Sequence, residues 1–437
     1  MFQTFKNAWK TPELKRKLLF TIMIILLYRI GANLYVPFIN IEEVQNLATY
    51  YEGSIFQFVS LLSGDAFSKA TFFALSVTPY ITASIVMQLL TIAIPALERL
   101  SKEGEEGRKK INNYTRWVTV VLALVTAYGY VKLLGNYGIL TISKATDKAG
   151  YYFGMAVMVA CFCTGAAVIM WLAEKINDRG IGNGISMILF ANIISRGGAM
   201  VQGLISMVSS KNDTKGYIIG VLEVILSLAL TVAVIGLIVW FTNSERRIPV
   251  QYAKRVVGRK MYGGQNSNLP LKMNMAGVMP VIFASSIVSI PATIAGFMSE
   301  NGFTKWVSNW FNYNSALYIV LFIILILLFS YFYIMISFNP IEVSNNIKNQ
   351  GGSVPGIRPG RPTADYIKKI LNRITFLGAL FLIVISGIPL IVNAVASGFS
   401  SIAFGGTSLL IVVGVALETA QDLEAQLSMR NYKGFLD

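Results

Sequence analysis

The feature that most constrains this chain is a series of ten apolar stretches, most of them about 20 residues long, that recurs from end to end. A helix of that length crosses the hydrocarbon core of a bilayer. Only 14% of the residues are charged, against about 25% in soluble domains. We therefore predict an all-α polytopic membrane protein with ten transmembrane helices. The stretches are roughly 18–36, 73–95, 117–137, 152–173, 185–207, 217–241, 275–297, 315–338, 371–393 and 406–427.

The ten stretches divide into two sets of five, which predicts an N-terminal half, 18–207, and a C-terminal half, 208–427. Because five is odd, the second half crosses the membrane in the opposite direction, as in the inverted repeats of transporters. Residues 79–84 (PYITAS) and 280–285 (PVIFAS) agree at four of six positions, which supports a repeat, although chance similarity between apolar segments is the alternative.

The distribution of Lys and Arg predicts the orientation. With the N-terminal segment 1–17 inside, 28 basic residues fall on the inner side and eight on the outer side. Basic residues accumulate on the cytoplasmic side of membrane proteins. We therefore place both termini, the C-terminal tail 428–437 and the long basic loops 243–274 and 339–370 in the cytoplasm. Attraction to anionic membrane lipids accounts for much of this charge.

The residue inventory excludes several kinds of chemistry. The chain has no histidine and only two cysteines, Cys161 and Cys163, both within an apolar stretch. Histidine-based acid–base chemistry and imidazole metal sites are therefore ruled out. No catalytic constellation or nucleotide motif is visible, so we expect no enzyme, no catalytic residue, no metal site and no cofactor. A small-solute secondary transporter is the leading alternative from composition, but it needs ionisable residues within the membrane, where only Arg29 and Glu418 clearly occur.

One segment, 53–72, is moderately apolar but too interrupted by Ser63, Gly64 and Asp65 to span the membrane. Irregular backbone at membrane depth is tolerated only where protein surrounds it. We therefore predict a short or re-entrant segment that enters a protein cavity before the second span.

Six blocks of sequence carry a family resemblance. They are LSGDAFSKATFFALSVTPYITASIVMQLL (61–90), EGEEGRKKINNYTR (103–116), DRGIGNGISMILFANI (178–193), YAKRVVGRKMYGGQNSNLPLKMNMAGVMPVIFASSI (252–287), GSVPGIRPGRPTADYI (352–367) and FGGTSLLIVVGVALE (404–418). Over essentially its full length the chain resembles the SecY family, the channel subunits of the bacterial protein translocase. The resemblance implies two pseudo-symmetric inverted five-helix halves around an hourglass pore.

By the same resemblance, residues 61–72 form a plug that closes the outer funnel. Its central residues are Leu61, Leu62, Ser63, Gly64, Asp65, Ala66 and Phe67. The narrow ring of the pore is expected at Ile81, Ile85, Leu189, Ile282 and Ile411. Leu189 departs from the isoleucine that is common in the family but keeps the ring apolar. An apolar constriction gates by dewetting, whereas a polar collar would hold water and ions. Packing against helices or lipid is the alternative role of each residue.

The resemblance further implies a lateral gate between the second and third and the seventh and eighth spans, where a signal sequence binds and a transmembrane segment leaves for the lipid. Polar residues suited to hydrogen bonds across this seam are Ser84, Gln88, Asn113, Ser285 and Ser286. Ordinary contacts between helices are their alternative role.

The two basic loops are expected to dock a motor or a ribosome. The docking residues are Arg246, Arg247, Lys254, Arg255, Arg259, Lys260, Arg358 and Arg361. Prolines beside Arg358 restrict its backbone, so its charge is presented in one place. The implied partners are the SecE and SecG membrane subunits, the SecA ATPase, the ribosome, polypeptides with signal sequences and membrane lipids. The expected location is the bacterial plasma membrane, and the expected function is a protein-conducting channel.

Overall fold

The structure is a computed structural model, and it describes residues 2–44, 59–60, 62–142, 148–209, 214–252, 255–257, 260–262, 266–298, 301–311, 315–395 and 406–433. The chain is mostly helical. The helices of the first half are α1 Phe2–Lys10, α2 Pro12–Gly31, α3 Thr78–Ala93, α4 Pro95–Lys102, α5 Glu105–Asn136, α6 Lys148–Arg179, α7 Gly184–Ser195 and α8 Gly197–Ser209. Those of the second half are α9 Thr214–Thr242, α10 Met279–Phe297, α11 Gly302–Trp310, α12 Ala316–Ser337, α13 Pro340–Asn349, α14 Arg361–Val395 and α15 Gly406–Lys433.

Each apolar stretch predicted to span the membrane overlaps one of these helices, or the pair α7 and α8. Within the described residues, six helices are long and apolar enough to cross a membrane, or seven if the bent pair α3 and α4 is one span. The helical membrane fold predicted from the sequence is confirmed, while the count of ten spans stays a prediction.

Local sequence explains where helices break. Pro95 has no backbone N–H to continue α3, and the chain bends by 101° between α3 and α4. The fifth apolar stretch forms two helices, α7 and α8, that meet at Arg196, just before Gly197 and Gly198. At the start of α7, the Asn183 side chain accepts a hydrogen bond from the Ile185 N–H and caps the helix.

The two long basic loops contain strands that an all-α prediction did not include. The strands are β1 Glu245–Tyr252, β2 Arg255–Val257, β3 Lys260–Tyr262, β4 Asn266–Lys272 and β5 Gly352–Ser353. Strands β4, β1 and β5 form one antiparallel sheet in that order, and β2 pairs with β3. The register sets Ile248 opposite Leu269 and Gln251 opposite Ser353.

The strands form because β1 alternates between buried and exposed side chains along its second half. Ile248 and Val250 are buried, and they pack with Ile347 of α13 and Ile367 of α14 in a small hydrophobic core. The pairing of β1 with β5 joins the two loops, which are about a hundred residues apart in the sequence, into one unit.

The main hydrophobic core lies among the apolar helices. It runs from Ile24 of α2 to Val415 of α15 and includes residues of the segment between α2 and α3. Gly165 of α6 shows how closely that segment packs, because a Cβ added there would overlap with the carbonyl oxygen of Phe72.

We expect Gly165→Ala to destabilise the protein by about 1–3 kcal/mol, because the added methyl group overlaps rigid backbone. The measurement is the apparent melting temperature of the purified protein in detergent. Gly236→Ala is the matched control: Gly236 also lies within a helix, α9, but a Cβ added there would have nothing within 4 Å. An equal melting temperature for the two variants would contradict the packing described here.

Candidate functional site

Residues 62–77, called here the inner segment, form a series of turns buried among the helices. The buried side chains include Leu62, Ala66, Phe67, Ala70 and Ala74. The inner segment contains all described residues of the predicted plug, 61–72; Leu61 lies outside the described residues. Burial of this interrupted segment agrees with the prediction that protein surrounds it.

The inner segment satisfies many of its own polar groups. The Ser63 hydroxyl accepts a hydrogen bond from the Phe67 N–H at 3.0 Å, and the Thr71 hydroxyl donates to the Ala66 carbonyl at 3.3 Å. Phe72 N–H donates to the carbonyl of Leu34, which ties the segment to the end of α2. These bonds replace the water that the backbone would otherwise need.

The backbone of the inner segment is strained at several positions. Gly64 has φ +63°, and the non-glycine residues Asp65, Ala70 and Ser76 have φ between +46° and +68°. Left-handed backbone costs about 1–3 kcal/mol at a non-glycine residue and persists only where surrounding contacts hold it. The contacts around this segment are therefore expected to oppose its relaxation.

Helices α7 and α5 contact the inner segment through polar groups. Asn192 of α7 donates from Nδ2 to the carbonyl of Leu62 at 2.8 Å, and the same atom lies 3.4 Å from the Ser76 hydroxyl. Tyr130 of α5 donates its hydroxyl to the Phe67 carbonyl. At the end of α7, Arg196 Nε lies 3.1 Å from Asp65 Oδ1, and both side chains are about one quarter exposed.

Arg29 of α2 also faces the inner segment. A Cβ at Gly64 would lie 2.9 Å from Arg29 Nη1 and 3.1 Å from the backbone of Asn192. Among the described residues, Arg29 Nη1, Tyr28 Oη and Asn192 Oδ1 are buried without a hydrogen-bond partner. The close approach explains why glycine fits at position 64.

The five residues of the predicted ring are all buried. Ile81 and Ile85 lie on α3, Leu189 on α7, Ile282 on α10 and Ile411 on α15. All five belong to the same hydrophobic cluster as the inner segment. Helix α3 contacts α10, and α7 contacts α15, so the ring residues lie on two pairs of touching helices.

The polar residues of the predicted lateral gate bond within their own helices. Gln88 donates to Ser84, and Ser285 and Ser286 both donate to the carbonyl of Ile282. Asn113 accepts from Arg116, which lies on the same helix. Hydrogen bonds across the seam are therefore absent from the described side chains of this set, because a hydroxyl in an apolar helix reaches the carbonyl three or four residues before it.

One apolar contact across the seam is defined at the level of side chains. Helix α10 packs against both α3 and α5. Near the ends of α5 and α10, Gly129 lies under the ring of Phe297, and a Cβ at Gly129 would overlap with that ring. The seam is closed at this point by an aromatic ring that fits against a glycine.

The predicted docking residues occupy the two joined loops. Arg246 and Arg247 are exposed on β1, where Arg247 forms an ion pair with Glu245. Arg255 and Lys260 begin β2 and β3. Lys254 and Arg259 lie outside the described residues.

Arg358 and Arg361 are exposed on the second loop, and the turn between them is held by side chains. Thr363 donates its hydroxyl to the Arg358 carbonyl at 2.8 Å, and Ser344 donates to the Gly360 carbonyl at 2.7 Å. Gly356 and Gly360 have φ +79° and +99°, which other residues rarely adopt. The turn therefore presents a defined pair of positive charges.

Sequence reasoning missed the residues that hold the inner segment and the seam, namely Asn192, Arg196, Tyr130, Gly129 and Phe297. Asn192 carried a usable signal, because a polar amide within an apolar stretch is uncommon and needs a partner. Gly129 and Phe297 carried none, because their contact joins two helices that are far apart in the chain.

Comparisons with known proteins agree with this geometry. The SecY family model matches residues 71–420. Protein translocase subunit SecY of Streptomyces galbus is 43% identical over 443 residues, with 100% of both chains covered. A solved protein-conducting channel matches 96% of both chains at a TM-score of 0.63 and 18% identity. Canine Sec61 from a ribosome–channel complex of the endoplasmic reticulum also matches 96% of both chains, at a TM-score of 0.59 and 17% identity.

We expect Gly129→Ala to lower the apparent melting temperature in detergent, by a loss of about 1–3 kcal/mol, because the added methyl group overlaps with the Phe297 ring. Phe297→Ala in the same chain makes room for that methyl group. The double variant is therefore expected to lose less stability than the sum of the two single variants. Strict additivity would show that the two residues do not touch.

Proposed function

This chain belongs to the SecY family, and we propose from that premise that it is a protein-conducting channel of the bacterial plasma membrane. It moves unfolded secretory polypeptides across the membrane and releases transmembrane segments sideways into the lipid. The halves 18–207 and 208–427 form the two sides of the channel, with both termini in the cytoplasm. The excess of basic residues on that side supports the orientation.

The observation that carries the proposal is the position of the inner segment. A turn-rich segment, 62–77, is buried among the helices and is tied to Leu34 just after α2, to α5 and to α7. Such a segment can leave without unfolding a helix. We infer that its residues 62–72, the described part of the predicted plug 61–72, form the plug and that their departure opens a path.

The aliphatic ring forms the second barrier of the proposed channel. Ile81, Ile85, Leu189, Ile282 and Ile411 are buried in the cluster that contains the inner segment. A ring of such side chains excludes water from a narrow passage and fits loosely around an extended polypeptide. The channel thus remains closed to ions while it accepts chains of any sequence.

The seam between α3 and α5 on one side and α10 and α12 on the other is the proposed lateral gate. The side-chain contact described there, between Gly129 and Phe297, is apolar. The apolar side chains of a signal sequence can take the place of one side of the seam and make similar apolar contacts with the other. Binding of the signal sequence therefore shifts the gate towards the open state. A small-solute transporter is not favoured, since the family and this closure both fit a polypeptide.

The exposed arginines of the joined loops are the proposed docking site for the SecA motor and the ribosome. Guanidinium groups bind carboxylates and phosphates, the groups that a protein motor and ribosomal RNA present. The similarity to canine Sec61 in a ribosome–channel complex supports a ribosome partner. SecE and SecG subunits complete the proposed assembly.

The experiment that tests the function is the conductance of the resting channel in planar bilayers. We expect Ile81→Ser with Ile282→Ser to wet the ring and make the channel leak ions, and to let substrates with defective signals pass. Each loss of about 1.4 kcal/mol from the closed state raises the open population about tenfold.

The matched control for the ring is Ile92→Ser with Ile294→Ser, on the same two helices but with exposed side chains. We expect this pair to remain as tight as the wild type. A ring variant that also remains tight, with unchanged selection of signals, would place Ile81 and Ile282 away from the pore.

For docking, we expect Arg358→Glu to reduce SecA-driven translocation into vesicles by about tenfold while the protein accumulates normally, because reversal of an exposed charge removes a partner contact and no core packing. Lys368→Glu, also exposed and on α14, is the control. Undiminished translocation by a normally accumulated Arg358 variant would remove this residue from the docking site.

A further inference from the structure

We propose that helix α7 is the element that holds the plug closed, through Asn192 and Arg196, and that these two residues set how strong a signal must be to open the channel. The proposal rests on the proposed function of residues 62–72 as a plug. It assigns roles to two residues that belong neither to the plug, nor to the ring, nor to the gate seam.

Leu189 and Asn192 of α7, and Arg196 directly after its last residue, lie on one face. Leu189, Asn192 and Arg196 are spaced by three and four positions, which places their side chains in a row along a helix. Leu189 belongs to the proposed ring, and the other two contact the inner segment. One helix face therefore carries a part of both barriers of the channel.

Asn192 bonds the plug at its beginning and also lies close to Ser76, which follows the plug in the inner segment. Its Nδ2 donates to the Leu62 carbonyl at 2.8 Å and lies 3.4 Å from the hydroxyl of Ser76, fourteen positions later. The residue is fully buried. A buried amide that loses its partners costs far more than an exposed one, so this contact favours the docked plug strongly.

Arg196 adds a charge contact at the junction of α7 and α8. Its Nε lies 3.1 Å from Asp65 Oδ1, in the part of the plug where Gly64 and Asp65 both have left-handed backbone. Asp tolerates that backbone better than most residues. The ion pair is partly exposed, so it is weaker than the Asn192 bond and sensitive to salt.

The arrangement couples the ring to the plug. A polypeptide that enters the ring pushes on Leu189 and displaces α7, which also carries the two plug contacts. Movement of this one helix breaks both, and the strained backbone of the plug then relaxes away from it. Weakening either contact lowers the signal strength needed for opening.

The test measures plug docking directly, in purified protein without substrate. A cysteine is placed at Ala66, which is 1% exposed, in a chain with Cys161→Ser and Cys163→Ser. This chain, without further substitutions, is called the reporter chain. The rate at which a maleimide labels this cysteine reports how often the plug opens. The variants are Asp65→Asn, Arg196→Gln, both together, and Asn192→Leu. Asparagine at position 65 keeps the tolerance for left-handed backbone.

We expect Asp65→Asn and Arg196→Gln each to raise the labelling rate about two- to fivefold. The double variant is expected to raise it no further, because each single variant already loses the whole ion pair. Asn192→Leu is expected to raise the rate about tenfold or more. Lys69→Gln is the matched control, since it removes an exposed positive charge from the plug that forms no ion pair among the described residues. Its rate is expected to equal that of the unmodified reporter chain.

Single effects that multiply in the double variant, or an unchanged rate for Asn192→Leu, would overturn the proposal. Labelling of the folded reporter chain at increasing salt concentration is a second measurement, and it needs no variant at Arg196. Because salt screens the ion pair, we expect the labelling rate to rise with salt in the reporter chain and not in the Asp65→Asn variant. A salt-independent rate in the reporter chain likewise overturns the ion-pair contact. Failure to conduct polypeptides, with these couplings intact, would instead contradict the proposed channel function.

Discussion

The rest of this structure depends on one constraint, which is that a segment without regular helix must satisfy its backbone polar groups inside a bundle of apolar helices. Water does not reach those groups, and each one left unpaired is costly. Residues 62–77 meet the constraint by turns among themselves and by bonds from Asn192 and Tyr130 to the carbonyls of Leu62 and Phe67. Asn192 and Tyr130 lie where those two carbonyls need donors.

In the proposed channel, the same contacts explain how a closed state can remain ready to open. Strained backbone at Ala70 and Ser76 opposes docking of the inner segment, while the hydrogen bonds, the Asp65–Arg196 ion pair and the close packing of Phe72 on Gly165 favour it. These opposing terms are each of the order of a few kcal/mol. In the proposed mechanism, a signal sequence therefore has to bind the open state only a few kcal/mol more tightly to shift the balance.

The joined loops solve a different problem, the presentation of charge on a rigid base. Pairing of β1 with β5 and a small core around Ile248 and Ile367 hold the two loops together. Bonds from Ser344 and Thr363 then hold the turn that carries Arg358. A turn whose backbone is held in this way loses little backbone entropy when the proposed partner binds, so its contact adds more to affinity than that of a mobile loop would.

The sequence by itself determined the helical membrane class, because apolar runs of about 20 residues have few other uses, and the quoted motifs indicated the family. It also predicted a protein-enclosed segment within residues 53–72, from local breaks in hydropathy, and the resemblance narrowed this to 61–72. Only the tertiary structure decided that Asn192 and Arg196 contact this segment, that Phe297 fits against Gly129, and that the loops form a sheet. The side-chain contacts join residues more than a hundred positions apart, and β1 pairs with β5 across about a hundred. No local pattern of spacing records which distant partner will face a side chain once the helices pack.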